Sequence, residues 1–270
     1  MDVSPSDSSI DNIADSLTVV VDLSWHRKGL YLASTVRPVS TGDGFLLVHN
    51  VLRHSTSCPF KPGSTGCSRS NALVSARFHP SKPQLLLVGR KSLRIYDLQG
   101  KAKLLRKLEV PSGMEVVTGL EVHPAGDNII VSGKSYVRSN SNNTNGKDGL
   151  ELEGKVCWYD LDMSAKPYQV FRLSADMTGQ LAQGSKSTVV RSMSFHPRLP
   201  LWSYAGESGS AAIMYGMVYP DDLSKNALLV PMTAVRTDGS SAVAITCSQY
   251  HPKEPWIFVA DALGNLAMFS

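Results

Sequence analysis

The chain has little with which to do chemistry. Its 270 residues hold four cysteines, Cys58, Cys67, Cys157 and Cys247, too few at this length for a disulfide framework. Cys157 and Cys247 lie in apolar, strand-like runs and read as small core residues. No run approaches the ~18 apolar residues that a membrane-spanning helix needs. The first sixteen residues carry Asp2, Asp7, Asp11 and Asp15 with neither Lys nor Arg and no apolar stretch, so they do not read as a secretory leader. The chain is therefore expected to be soluble and intracellular, without a membrane partner, and the sequon Asn142-Asn143-Thr144 has no secretory context. No Gly-x-Ser-x-Gly nucleophile elbow occurs. Aromatic residues make up 7%, and the densest basic stretch, Arg90 to Lys107, has no aromatic interleaving of the kind that marks a base-stacking platform. No segment sustains helical periodicity.

What the chain does have is a repeat. Five times a short alternating apolar run ends in an aromatic or apolar residue followed by His: Trp25-His26, Phe78-His79-Pro80, Val122-His123-Pro124, Phe195-His196-Pro197 and Tyr250-His251-Pro252. Two further strand-like runs follow each motif, as Leu85 to Gly89 and Leu93 to Asp97 follow His79. A fourth apolar segment usually comes next, such as Lys103 to Leu108, Tyr168 to Leu173 or Leu228 to Val235. Short strands divided by Pro, Gly, Asn and Asp turns are the all-β signature. Four strands in a unit of roughly 40 to 55 residues match one propeller blade. The expected fold is an all-β WD-repeat β-propeller over residues 17–270, with about five recognisable blades, an incomplete seven-bladed ring being one form of it. Residues 1–16 are expected to be disordered, and residues 52–71 and 135–154 to be mobile insertions. Tyr96-Asp97 and Trp158-Tyr159-Asp160 stand where WD repeats carry Trp-Asp, whereas Met214-Tyr215-Gly216 and Ala267-Met268-Phe269 lack the Asp.

The repeat decides how the histidines are read. One His at each first-strand end is turn chemistry, because equivalent positions of radiating blades do not converge on one ion. His54, Cys58 and Cys67 have irregular spacing and no evident fourth ligand, so zinc is not expected. Ser132-Gly133-Lys134-Ser135 looks like the tail of a phosphate-binding loop, but Asn128 stands where that loop needs Gly and no helix follows. No cofactor, metal or catalytic residue is expected, and the chain is not read as an enzyme. The strongest candidate surface is basic: Arg90, Lys91, Arg94, Lys101, Lys103, Arg106 and Lys107, against Asp97 alone. Such a cluster either contacts RNA phosphates or an acidic partner, or is a solvated blade edge whose Lys residues discourage strand pairing. The net charge of +4 is compatible with both.

Several segments carry a closer likeness. They include Trp25-His26-Arg27-Lys28-Gly29, Leu93-Arg94-Ile95-Tyr96-Asp97-Leu98, Met217-Val218-Tyr219-Pro220-Asp221-Asp222-Leu223 and Tyr250-His251-Pro252-Lys253-Glu254-Pro255-Trp256. The most specific runs from Trp158 through Asp160-Leu161-Asp162-Met163-Ser164-Ala165-Lys166-Pro167 to Tyr168. Together, over about residues 19–270, they resemble the C-terminal WD-repeat region of the Bop/Erb (block of proliferation) family of eukaryotic ribosome biogenesis proteins. The resemblance implies a non-enzymatic scaffold for large (60S) subunit assembly and pre-rRNA processing, in the nucleolus and nucleoplasm of the nucleus. It implies pre-60S particles and proteins of a PeBoW-type complex as partners, above all the partner WD-repeat protein, with direct RNA contact. That family binds Pescadillo through a long N-terminal region, which nothing here resembles, and its propeller has seven blades. The alternative is a WD-repeat adaptor that presents substrates to another complex such as a ubiquitin ligase.

Overall fold

The structure, a computed structural model, describes residues 17–39, 44–60, 71–138, 150–173, 189–217, 228–237 and 243–270. The expectation of disorder for residues 1–16 lies outside them. The chain divides into two compact units, Met1–Val110 and Pro111–Ser270. It is all-β, and its five antiparallel sheets are the five blades of a β-propeller fold.

In the first unit, blade one holds β1 (Thr18–Trp25), β2 (Tyr31–Pro38), β3 (Phe45–Asn50) and β4 (Ser55–Ser57). Blade two holds β5 (Leu73–Phe78), β6 (Gln84–Gly89), β7 (Ser92–Asp97) and β8 (Lys103–Leu108). In the second unit, blade three holds β9 (Val116–Val122), β10 (Asn128–Arg138), β11 (Leu150–Asp160) and β12 (Gln169–Leu173). Blade four holds β13 (Val190–Phe195), β14 (Leu201–Gly206), β15 (Ala211–Met217) and β16 (Leu228–Val235). Among the described residues blade five has three strands, β17 (Ile245–Tyr250), β18 (Ile257–Asp261) and β19 (Leu266–Phe269). Within residues 135–154, β10 and β11 pair register for register out to Arg138↔Leu150. Within residues 52–71, Ser55–Ser57 adds β4 to the edge of blade one.

Within each unit, strand alternation puts one face of a sheet toward the next blade. In the first unit Ala33 and Leu46 of blade one bury against Leu73, Leu85, Leu87 and Tyr96 of blade two. In the second, Trp158 of blade three packs on Phe195 and Trp202 of blade four, and Ala205 and Ala211 of blade four pack on Ile245 and Val259 of blade five. At ~25 cal/mol per Å² of apolar surface, each such junction outweighs any single hydrogen bond in holding its blades together.

The repeated motif serves both the turn and the junction. In all five copies the imidazole Nδ1 accepts a backbone N–H two residues on, from Lys28, Ser81, Ala125, Arg198 and Lys253 at 3.1–3.3 Å. His79, His196 and His251 also accept a second N–H, three residues on, at 2.9 Å. The ring then meets the aromatic residue of the next blade's motif edge-on. His26 lies 5.3 Å from Phe78, His123 5.1 Å from Phe195, and His196 5.2 Å from Tyr250. Within each unit the motif thus ties successive first strands: His26, His123 and His196 each supply one half and the next motif's aromatic residue the other.

Candidate nucleic-acid interface

The seven basic residues of the sequence cluster sit on β7, β8 and the turns around them, but blade two divides them between two ends and two faces. Arg90 and Lys91 form the β6–β7 turn. That turn is fixed from β5's leading edge: Arg90 N–H donates to the Ala72 carbonyl at 3.1 Å, and Lys91 N–H to Asn71 Oδ1 at 2.6 Å. Arg94 is paired across β7 with Leu87 on β6 and with Lys107 on β8. Arg106 pairs with Ile95, on the opposite face. Lys103 pairs with Asp97 at the far end of the blade, where Lys101 lies in the β7–β8 turn. Four residues of strand separate Lys103 from Lys107, about 13 Å.

Only part of the cluster can therefore meet one ligand. Leu87 packs against blade one. Arg94 and Lys107 stand opposite one another on Leu87's face, so both belong to the face turned toward blade one. Like charges directly opposite in a sheet repel. Among the described residues, Arg90, Lys91, Arg94, Lys101, Lys103 and Lys107 take part in no ion pair.

The structure adds a residue that the linear count of charges passes over. Arg37 ends β2, and the alternation Ala33, Thr35, Arg37 puts it on blade one's face toward blade two. Its Nη2 donates to the Leu73 carbonyl of β5 at 3.2 Å. Burial, and secondarily the charge of Arg90, hold its guanidinium below the ordinary value. The signal for it in the sequence is that two-residue alternation, with a charge on an otherwise core-facing row.

Charge is also uneven along the chain. Residues 1–110 carry 15 Lys and Arg against 8 Asp and Glu, whereas residues 111–270 carry 12 against 15. The first unit is the cationic one, and it holds the whole cluster.

The other candidates come apart. His54 has a positive φ of 48° in the turn before β4. Cys58 Sγ donates to the Phe60 carbonyl, with its thiol pushed up by burial, and Cys67 lies outside the described residues. Among the described residues no group of three or more His, Cys, Asp or Glu is placed to hold a metal ion. Ser132-Gly133-Lys134-Ser135 is the uninterrupted middle of β10, not a loop. Cys157 is fully buried, its thiol pushed up to about 12 by loss of solvent.

No protein-family model matches the chain. Individual proteins do. It is 34% identical over 269 residues to the ribosome biogenesis protein ERB1 of Meyerozyma guilliermondii, a match covering 98% of this chain and 28% of that protein. Against the ribosome biogenesis protein BOP1 homolog of Dictyostelium discoideum it is 32% identical over 252 residues, 93% of this chain and 25% of that one. Against BOP1 of Rattus norvegicus the identity is 33% over 253 residues, 93% of this chain and 29% of the other. The chain thus spans a little over a quarter of the length of the curated relatives it matches. Over nearly all of its own length, the chain belongs to the Bop1/Erb1 family of ribosome biogenesis proteins.

Proposed function

We propose that the chain is a non-enzymatic scaffold in ribosome biogenesis, acting on the large (60S) subunit and on pre-rRNA processing. It works in the nucleolus and nucleoplasm, where its blades hold partner proteins and its first unit holds pre-ribosomal RNA. The observation that carries this reading is the match to ribosome biogenesis proteins over 93–98% of the chain. The cationic first unit supports the RNA part, since neutralising phosphates is what draws a protein to RNA irrespective of sequence. The partner proposed is the other WD-repeat protein of a PeBoW-type complex, through blade faces and loops. Pescadillo is not assigned to this segment.

The test is sedimentation. The tagged full chain, expressed in a eukaryotic cell, is expected in the nucleolus and in the pre-60S fractions of a sucrose gradient, with the partner WD-repeat protein in its affinity eluate. A chain outside the nucleolus that recovers ubiquitin ligase subunits and no ribosomal proteins would overturn the scaffold in favour of a substrate adaptor.

A further inference from the structure

The junction between blades one and two is lined with hydrogen-bond donors that have nothing to donate to. Thr35 Oγ1, Arg37 Nε, Arg94 Nε and Tyr96 Oη are all buried atoms without a hydrogen-bond partner. Thr35 is 1% exposed and Tyr96 4%. All four side chains lie on facing sides of the two blades: Thr35 and Arg37 alternate with Ala33 on β2, and Arg94 and Tyr96 are paired with Leu87 and Leu85 on blade two. A buried polar group without a partner is costly, and native structures seldom leave several in one place. These four are donors together with cations. Lys107 stands opposite Arg94, and Arg90 lies near enough to Arg37 to disfavour its charge. Asp22, the carboxylate that blade one turns toward blade two, is already taken by Arg77 and by the Ser75 hydroxyl at 2.6 Å.

We propose that this junction is a binding site for one phosphate group of an RNA backbone, gripped by Arg37 from blade one and Arg94 from blade two. An oxyanion accepts several N–H and O–H donors at once, and guanidinium groups meet it in a planar fork. It removes the repulsion among Arg37, Arg90, Arg94 and Lys107 and gives the orphan donors an acceptor. Arg37 and Arg94 are themselves only half-buried, so the site is open to a ligand from solvent. The Asn71-locked turn carrying Arg90 and Lys91 forms its rim. The proposal rests on the RNA-holding reading above, and it assigns RNA contact to one interblade site instead of the whole basic edge.

The experiment titrates a fluorescein-labelled twelve-nucleotide oligouridylate against the full chain across a series of salt concentrations. The variants are Arg37→Gln with Arg94→Gln, and, as a control, Lys101→Gln with Lys103→Gln, which removes the same charge at the other end of the blade. The Arg pair is expected to weaken binding about tenfold and to reduce the salt slope by about one to two; the Lys pair is expected to change either far less. Thermal unfolding confirms that both variants fold, and inorganic phosphate is expected to raise the midpoint of the wild type but not of the Arg variant. Equal losses from the two pairs, or no loss from the Arg pair, overturn the site. Phosphate protection that needs Arg37 and Arg94, beside RNA affinity that does not, overturns the RNA assignment in favour of a free phosphate. Co-sedimentation of the Arg variant with pre-60S particles is read separately: its persistence leaves the scaffold standing whatever becomes of the site.

Discussion

His26 and His196 work as neutral acceptors, and that gives their turns a pH dependence. His196 is the clearest: its Nδ1 accepts the Arg198 and Leu199 N–H groups at 3.1 and 2.9 Å while the ring lies against Tyr250. A proton on Nδ1 would expel both donors. Burial, with Arg198 adding to it, holds His196 below its ordinary 6.5, and burial with Lys28 and Arg27 does the same for His26. The unfolded chain therefore binds these protons first, so the stabilisation is full above about pH 6.5 and is lost as pH falls through the lower folded values. The thermal midpoint is expected to drop between pH 7.5 and 5, measured by circular dichroism. His196→Asn keeps an acceptor that does not titrate, and should flatten that slope. His196→Ala leaves two turn N–H groups without their acceptor and should cost about 1–3 kcal/mol at pH 7.5, read from the urea midpoint. These roles are half legible in the sequence. That the His marks a turn follows from its five-fold recurrence. That the rings of His26, His123 and His196 also meet the next motif's aromatic residue does not, because it is a contact between repeats. The same limit hides Arg37, which joins the basic cluster only when β2 is laid beside β5.

The blades share an element that no residue pattern announces: a register shift in every first pairing. It falls between Val20 and Asp22 in β1, Leu73 and Ser75 in β5, Val190 and Ser192 in β13, and Ile245 and Cys247 in β17, and opposite Ser132 and Gly133 in β10. A bulge adds local twist and re-aims the residues beyond it. Here it lets Asp22 reach Ser75 and Arg77 of the next blade. In blade four the bulge presses the chain so closely on β14 that a Cβ at Gly206 would overlap the Val189 carbonyl. Gly206→Ala must therefore move backbone, not a flexible side chain, and is expected to cost about 3 kcal/mol or more; a urea midpoint within error of the wild type would refute the packing described. Strands themselves were easier to read. Ala211–Met217, Lys103–Leu108 and Leu228–Val235 stand as the apolar alternation places them. The misses were polar. β4 is Ser-Thr-Ser, without the apolar residues that signal a strand, and β10 and β11 run on into the polar segment 135–154 because their backbones pair whatever the side chains are.

Across the whole molecule, exposure is as uneven as charge. Phe78, Phe195 and Tyr250 are buried to 9, 9 and 7% exposure, yet Trp25, which holds the same place in the first motif, is 60% exposed. Its strand is apolar and exposed along most of its length, with Val19 at 53%, Val20 at 56% and Leu23 at 55%. A contiguous apolar strand in water drives association, since covering it returns ~25 cal/mol per Å². These exposed side chains contribute little to the junction with blade two, which β1 meets through Asp22 on Ser75 and Arg77. Polar substitution there should consequently behave as surface mutation does, within about 0.5 kcal/mol, whereas the same change in a packed junction would cost about 2–5 kcal/mol. Leu23→Ser with Trp25→Ser is expected to leave the thermal midpoint nearly unchanged and to lower binding of a hydrophobic dye. Light scattering across a concentration series should show less self-association. Tryptophan emission gives an independent reading. Trp158 and Trp202 are 2 and 1% exposed and Trp256 is half-buried, so loss of Trp25 reduces the red-shifted, acrylamide-quenched component and leaves the blue-shifted one. A large fall in the midpoint, or quenching that Trp25→Ser does not change, would mean that β1 is covered in the folded protein, and the exposed strand described here would be wrong.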